Sequence, residues 1–191
     1  MTEASAGQFA RGRDLAKVLW CSNQRARAGN GWKFPPAVRK LLLQRFEGKR
    51  ILHLFGGHAD FGVRLDIDPI TRPDVIGDAW LPPFKKNSFD VAILDPPYFR
   101  LDVQMKNALL RAAGWVAREH LVWFHQAWIA GYSALPLEDA YLVRVGDNCY
   151  CRALQIFRVT NSKLPPTEKF TRGPAIKYNR WIAQPQGLPF G

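Results

Sequence analysis

Four short apolar runs in the first half of the chain each break at the carboxyl end on a glycine or an acid. Ile51-Leu52-His53-Leu54-Phe55 stops at Gly56-Gly57, and Val63-Arg64-Leu65 stops at Asp66-Ile67-Asp68-Pro69. Asp74-Val75-Ile76 stops at Gly77-Asp78-Ala79, and Val91-Ala92-Ile93-Leu94 stops at Asp95-Pro96-Pro97-Tyr98. Runs this short, bounded by turn residues, predict parallel strands buried on both faces. In such sheets ligands bind outside the carboxyl ends of the strands. The glycine break, Asp66, Asp78 and Asp95 are therefore expected along one rim.

Around these strands the period changes. Val38, Leu41, Leu42 and Phe46 recur at helical spacing behind Pro36, with basic residues opposite, and predict an amphipathic helix that Gly48 ends. Leu109, Leu110, Ala113 and Val116 give a second helix over Met105–Glu119, and His120–Trp128 reads as a fifth strand. Residues Leu121 to Leu137 hold no Asp, Glu, Lys or Arg, but Gly131 and Pro136 interrupt them, so a buried strand and turn is expected rather than a membrane helix. Tyr141–Val145 and Tyr150–Val159 alternate about Gly146-Asp147-Asn148, a hairpin signal. The links from Gly57 to Asp66 and from Asp68 to Asp74 fall short of the roughly dozen residues that a parallel crossover normally takes.

The expected class is therefore α/β: a trimmed Rossmann-like, doubly wound sheet, mostly parallel, with an antiparallel C-terminal hairpin and shortened first two crossovers. Residues 1–31 read as a basic N-terminal arm and 32–160 as the catalytic domain. Residues 161–191 read as a basic, proline-containing extension packing on that domain.

Asp95-Pro96-Pro97-Tyr98 combines a carboxylate, a stiff proline pair and an aromatic ring at one sheet edge. Carboxylate and backbone carbonyl can both accept from an NH2 group, and prolines hold the carbonyls without adding N–H donors. Tyr98 offers a stacking face, worth about 1–3 kcal/mol per base in single-strand binding. An adenosine cofactor, for its part, needs close backbone approach at a glycine turn, a carboxylate for its ribose diol and a polar pair for its base. Gly56-Gly57, Asp66 and Asp78 supply these in strand order. Asp68 competes with Asp66 for the ribose, because both fall on one side of an extended strand.

Taken together, Ile51 to Tyr98 resemble the core of the class I S-adenosylmethionine-dependent methyltransferases. More narrowly, they are similar to the amino-methyltransferases that modify adenine N6 or cytosine N4 in nucleic acids. His53-Leu54-Phe55-Gly56-Gly57 resembles the first cofactor motif, Asp66 the ribose-binding acid, and Gly77-Asp78-Ala79 the motif that reads the cofactor's adenine. The resemblance implies S-adenosyl-L-methionine as cofactor, held by Phe55, Gly56, Gly57, Asp66, Asp78 and Ala79. It implies Asp95, Pro96, Pro97 and Tyr98 as the catalytic set, with Tyr98, Phe99 and Arg100 toward the substrate. The Asp form of that motif leans toward adenine. Trp32 to Phe46 resembles the additional motif beside the cofactor's methionine. His53 stands where the family usually carries an acid, and Ala59 where it carries a second glycine.

Charge narrows the substrate. Lys and Arg number 27 against 16 acids, a formal net charge of +11. Polyanion binding accounts for such an excess, since Lys and Arg neutralise phosphates and release counterions. DNA is expected ahead of RNA. An RNA adenine-N6 methyltransferase and a nucleic-acid-binding protein that has lost catalysis are the alternatives. A protein amide or small-molecule methyltransferase is a third. No discrete recognition domain is evident, which leaves room for a homodimer or a recognition partner. Three cysteines form no closed disulfide set, no metal set is evident, and no export or membrane segment is seen, so a cytoplasmic protein is expected.

Overall fold

A computed structural model describes residues 17–21, 34–96, 101–126, 129, 135–145 and 151–160. They form one eight-stranded sheet and two helices. The strands are β1 (Lys17–Cys21), β2 (Ile51–Leu54), β3 (Val63–Asp66), β4 (Val75–Ile76), β5 (Phe89–Leu94), β6 (Ala117–His125), β7 (Leu137–Val145) and β8 (Cys151–Arg158). The helices are α1 (Pro36–Arg45) and α2 (Val103–Val116). Across the sheet the order is β1-β7-β8-β6-β5-β2-β3-β4. Within it β8 runs against β6 and β7, while the other pairs are parallel. The expected Rossmann-like sheet with an antiparallel C-terminal hairpin is the fold observed.

Side-chain alternation gives the sheet two separate cores. Leu52, Leu54, Ala92, Leu94, Leu121 and Trp123 pack with Leu109, Leu110, Ala113 and Val116 of α2. Ile51, Val91, Ile93, Val122, Phe124, Leu154 and Ile156 pack on the other face with Val38 and Leu42 of α1 and with Phe46. Burying each large apolar side chain contributes about 1.5–3 kcal/mol. That gain explains why β2 and β5 are buried throughout and admit few polar residues, His53 and Asp90. Asp90 is neutralised where it enters: it accepts from Arg50 N at 2.8 Å and from Arg118 Nη2 at 2.6 Å.

The first two crossovers are as short as expected. Residues 55–62 hold no helix, and residues 67–74 hold a single 3-10 turn, Pro69–Thr71. Their carbonyls have no helical N–H to accept from, and Arg64 on β3 takes that role. Its Nη2 donates to Arg72 O at 2.6 Å, and its Nη1 lies 3.4 Å from Thr71 O and 3.5 Å from Gly57 O. Asp74 Oδ2 accepts from Arg64 N at 2.8 Å and from its Nε at 3.3 Å. One planar group with five donors thus ties both loops to the strand between them.

Some boundaries differ from expectation. The second helix ends at Val116, not Glu119, and Ala117 opens β6 directly. Sheet pairing prevails over helical spacing there: Ala117 pairs with Phe89, Arg118 reaches Asp90, and Glu119 O accepts from Val159 N at 2.8 Å. The strand expected from Tyr141 begins at Leu137, and Lys17–Cys21, within the segment read as an arm, pairs in parallel with β7. An apolar KVLWC run covers an edge that would otherwise leave backbone groups unpaired. The turn residues 146–148 lie outside the described residues, but Arg144 opposite Cys151 shows the antiparallel pairing they would join. No helix among the described residues is long and apolar enough to cross a membrane.

His53 sits in β2 with 2 % of its surface exposed, edge-on to Phe61 at 4.6 Å and tilted against Phe34 at 5.6 Å. Burial lowers its pKa from 6.5 to about 4, with a hydrogen bond to the Phe61 backbone and the Asp60 charge opposing the shift. The unfolded chain therefore takes up this proton near pH 6.5 and the folded one only near pH 4. Stability present above 6.5 is expected to fall by roughly 3 kcal/mol as pH drops to 4. Urea denaturation from pH 7 to 4 reads this slope, and His53→Leu should flatten it; an equal slope in both proteins would refute the assignment. Arg64→Met, which keeps an unbranched stem but loses all five donors, should cost about 2 kcal/mol in the same assay at neutral pH. A loss within about 0.5 kcal/mol, ordinary for a surface position, would mean that the clamp is not structural.

Candidate active site

Hydrogen-bond register aligns the strand tips. Leu54 of β2 lies opposite both Leu65 of β3 and Leu94 of β5. The residues that follow, Phe55, Asp66 and Asp95, therefore leave three adjacent parallel strands level with one another. Gly77, one past the Asp66–Ile76 pair, stands a step further out on β4. Strands spaced about 4.8 Å apart make the row from Asp66 to Asp95 roughly 10 Å long. Asp66, Asp78 and Asp95 are all half-buried on this rim, and Pro96 is buried.

At the centre of the row the chain turns sharply. Phe55 has φ 67 and Gly57 φ 46, both left-handed. A non-glycine residue there costs about 1–2 kcal/mol. Phe55 is held in place by an edge-on contact with Trp80, ring centroids 5.4 Å apart. Gly56 N donates to Leu65 O at 2.8 Å, pressing the loop onto β3. A Cβ at Gly56 would lie 2.6 Å from Arg64 Cβ and 2.9 Å from its Cα, so only glycine fits this approach. Ala59, where a second glycine is expected from the resemblance, is buried and donates its N–H to Gly56 O at 2.9 Å.

The acids separate by partner. Asp66 Oδ2 accepts from Gly57 N at 2.8 Å and its Oδ1 from Asp68 N at 3.0 Å, so it props the glycine turn from the neighbouring strand. A carboxylate has about four lone-pair sites, which leaves acceptor capacity for a ligand's hydroxyls. Asp68 instead caps the 3-10 turn through Ile70 N at 2.9 Å. Spacing left these two acids equivalent; the fold gives the row position to Asp66. Asp78 Oδ1 accepts from Trp80 N at 2.9 Å. Desolvation raises the Asp78 pKa, against the lowering effect of that hydrogen bond. Ala79 and Trp80 behind it are buried.

Asp95 follows a strand whose six residues are all buried, so its position is fixed by the sheet itself. Pro97, Tyr98, Phe99 and Arg100 lie outside the described residues. Asp102, just beyond them, caps α2 by accepting from Met105 N at 2.7 Å. Two residues central to the site escaped sequence reasoning. Arg64 could have been noticed as a cation inside an apolar triplet, whereas Trp80, the partner of Phe55, carries no such signal. Among the described residues no three His, Cys, Asp or Glu side chains gather as a metal ion would require.

No family model matches the chain, and no curated protein matches it. Solved structures resemble it at low identity. The PH0226 protein of Pyrococcus horikoshii is 12% identical over 64% of this chain and 88% of its own, with a TM-score of 0.49. The N-methyltransferase NodS of Bradyrhizobium japonicum is 14% identical over 65% and 93%, with a TM-score of 0.49. A TehB-like SAM-dependent methyltransferase of Corynebacterium glutamicum is 17% identical over 64% and 86%, with a TM-score of 0.46.

Proposed function

We propose that the protein transfers a methyl group from S-adenosyl-L-methionine to an exocyclic base amine, adenine N6 in DNA. The observation that carries this reading is the level row of Phe55, Asp66 and Asp95 on adjacent parallel strands, with Asp78 beside it. It lines a glycine turn, two acids suited to an adenosine and the Asp-Pro pair suited to an amine along a single rim, where such sheets hold ligands.

The residues present fit that cofactor. Gly56-Gly57 allows close backbone approach, Asp66 keeps acceptor sites for a ribose diol, and Asp78 offers a carboxylate to an adenine amine. His53, two residues below the row, carries a buried Nε2 with no hydrogen-bond partner among the described residues. A neutral imidazole with an unused acceptor suits an ammonium group where the resembling family usually has an acid. When bound, the cofactor supplies an electrophilic methyl group. Asp95 accepts a hydrogen bond from the substrate amine, directs its lone pair out of the ring plane and receives the proton that the nitrogen sheds. The backbone carbonyl between Asp95 and Pro96 accepts the second N–H. Most of the rate gain then comes from placement and electrostatics.

The basic excess supports a polyanionic substrate. The described residues carry 16 Lys and Arg against 12 acids, which leaves 11 and 4 for the remaining segments. The core is nearly balanced, and most of the positive charge belongs to segments flanking or linking it.

Transfer of labelled methyl to duplex DNA, single-stranded DNA, RNA and protein tests the reading, with incorporation expected in adenine-containing DNA. Incorporation into RNA or protein alone would overturn it. Asp95→Ala should lower kcat at least about a hundredfold with the fold intact. Near-normal turnover would remove Asp95 from its role. Asp78→Asn keeps an acceptor for Trp80 N and removes a desolvated charge, so its Tm should equal or exceed that of the parent. Its affinity for S-adenosylhomocysteine, measured by calorimetry, should nonetheless fall about tenfold through loss of a charged acceptor. Unchanged affinity would exclude Asp78 from the adenine site.

A further inference from the structure

Among the described residues, the charges along the carboxyl-end rim are unevenly spread. Asp66, Asp68 and Asp78 crowd the half over β3 and β4, where the Arg64 guanidinium is taken up by backbone carbonyls and Arg72 stands exposed. Over the facing ends of β7 and β8 the described residues include Arg144 and Arg152 and no acid. A cationic sulfonium suits the first half, and an anionic strand suits the second.

Arg152 is tied to the Asp95 row by register. Leu94 pairs with Trp123, so Asp95 is level with Phe124, and Phe124 pairs with Leu154. Val91 and Ile93, Val122 and Phe124, and Leu154 and Ile156 share the α1-side core. Alternation therefore assigns Asp95, Phe124 and Arg152 to that same face, with Arg152 two residues, about 7 Å, further out than Leu154. The Arg152 guanidinium rests over the Phe124 ring, 5.3 Å from its centroid. A stacked guanidinium is already oriented, loses little freedom on pairing, and presents the planar fork that phosphate oxygens match.

We infer that Arg152 grips the phosphodiester beside the target base, a positioning contact that seats the strand while Asp95 holds the amine. This rests on the reading above as far as the base and its chemistry are concerned. The phosphate contact itself is read independently by binding.

The test uses the full chain and a short fluorescein-labelled single-stranded oligodeoxynucleotide with one adenine, titrated by anisotropy across a salt series. Arg152→Gln should weaken binding about tenfold and reduce the slope of log affinity against log salt by about 0.7 unit. Arg152→Lys should keep the slope and fall between the two in affinity. Lys85→Gln, at the amino end of β5, should match the parent. In turnover, Arg152→Gln should raise KM with kcat nearly constant, and S-adenosylhomocysteine binding should not change. Equal slopes for Arg152→Gln and parent, equal losses in Arg152→Gln and Lys85→Gln, or a parent that does not bind the oligonucleotide would each overturn the assignment. Binding that depends on Arg152 without any methyl transfer would leave it standing and sink only the catalytic reading.

Discussion

Arg64 is the constraint on which the β2, β3 and β4 half of the sheet depends. Parallel strands in Rossmann-like sheets are normally joined by helices, whose own hydrogen bonds satisfy the connecting backbone. Here the two connections flanking β3 are too short for that. The guanidinium of Arg64 collects Gly57 O, Thr71 O and Arg72 O instead, while Asp74 takes its Nε and backbone N. Because Gly57 belongs to the glycine turn, the same side chain that closes the second link also braces the first. The adjoining glycine reinforces this: Gly56 lies so close to Arg64 that any side chain at 56 would push the strand carrying the clamp. Loop geometry and strand position are thus one mechanical unit.

From that unit follows the alignment of the strand tips. Phe55, Asp66 and Asp95 can be level only if β2, β3 and β5 keep their register, and register in a sheet buried on both faces is fixed by its apolar alternation. A slip of one residue would exchange Ile93 for Leu94 between two different cores and turn Asp95 toward α2. The sheet also divides labour along its edge. Acids supported by backbone N–H groups occupy the β3 and β4 side, as with Asp66 on Gly57 and Asp78 on Trp80. On the other side a cation stacks on an aromatic ring, Arg152 on Phe124.

Much of this was legible in the residues because each strand ends on a chemically distinctive group. The runs ending at Gly56, Asp66, Asp78 and Asp95 are short, apolar and punctuated, so strand ends and rim could be read together. Spacing could not tell Asp66 from Asp68, since alternation places both alike and only the 3-10 turn at Pro69–Thr71 shows which acid is a cap. Nor could it end the second helix correctly. Ala117 to Glu119 continue a helical pattern, and their strand identity comes from Phe89, Asp90 and Val159, distant in sequence. Gln155 is hidden for the same reason. It is fully buried in β8, donates to Ile129 O and accepts from Ile129 N, both at 2.8 Å, a pairing that no local pattern reveals.

The missing helix also gives a physical account of His53. A carboxylate at the end of a buried strand needs compensation, and a helix starting just after the glycine turn would provide it through its N-terminal dipole and free N–H groups. Residues 55–62 form no helix, so that support is absent. An acid at position 53 would sit between phenylalanine rings near the Asp60 charge, two residues below the level of Asp66 and Asp95, and desolvation would push its pKa upward. Imidazole resolves the conflict. Burial keeps it neutral down to about pH 4, it donates through one nitrogen to the Phe61 backbone, and it retains an acceptor on the other. The departure at His53 and the shortened crossover are therefore not two separate oddities of this chain, since removing the helix removes the means of holding a buried anion and leaves a neutral acceptor as the group the site can keep.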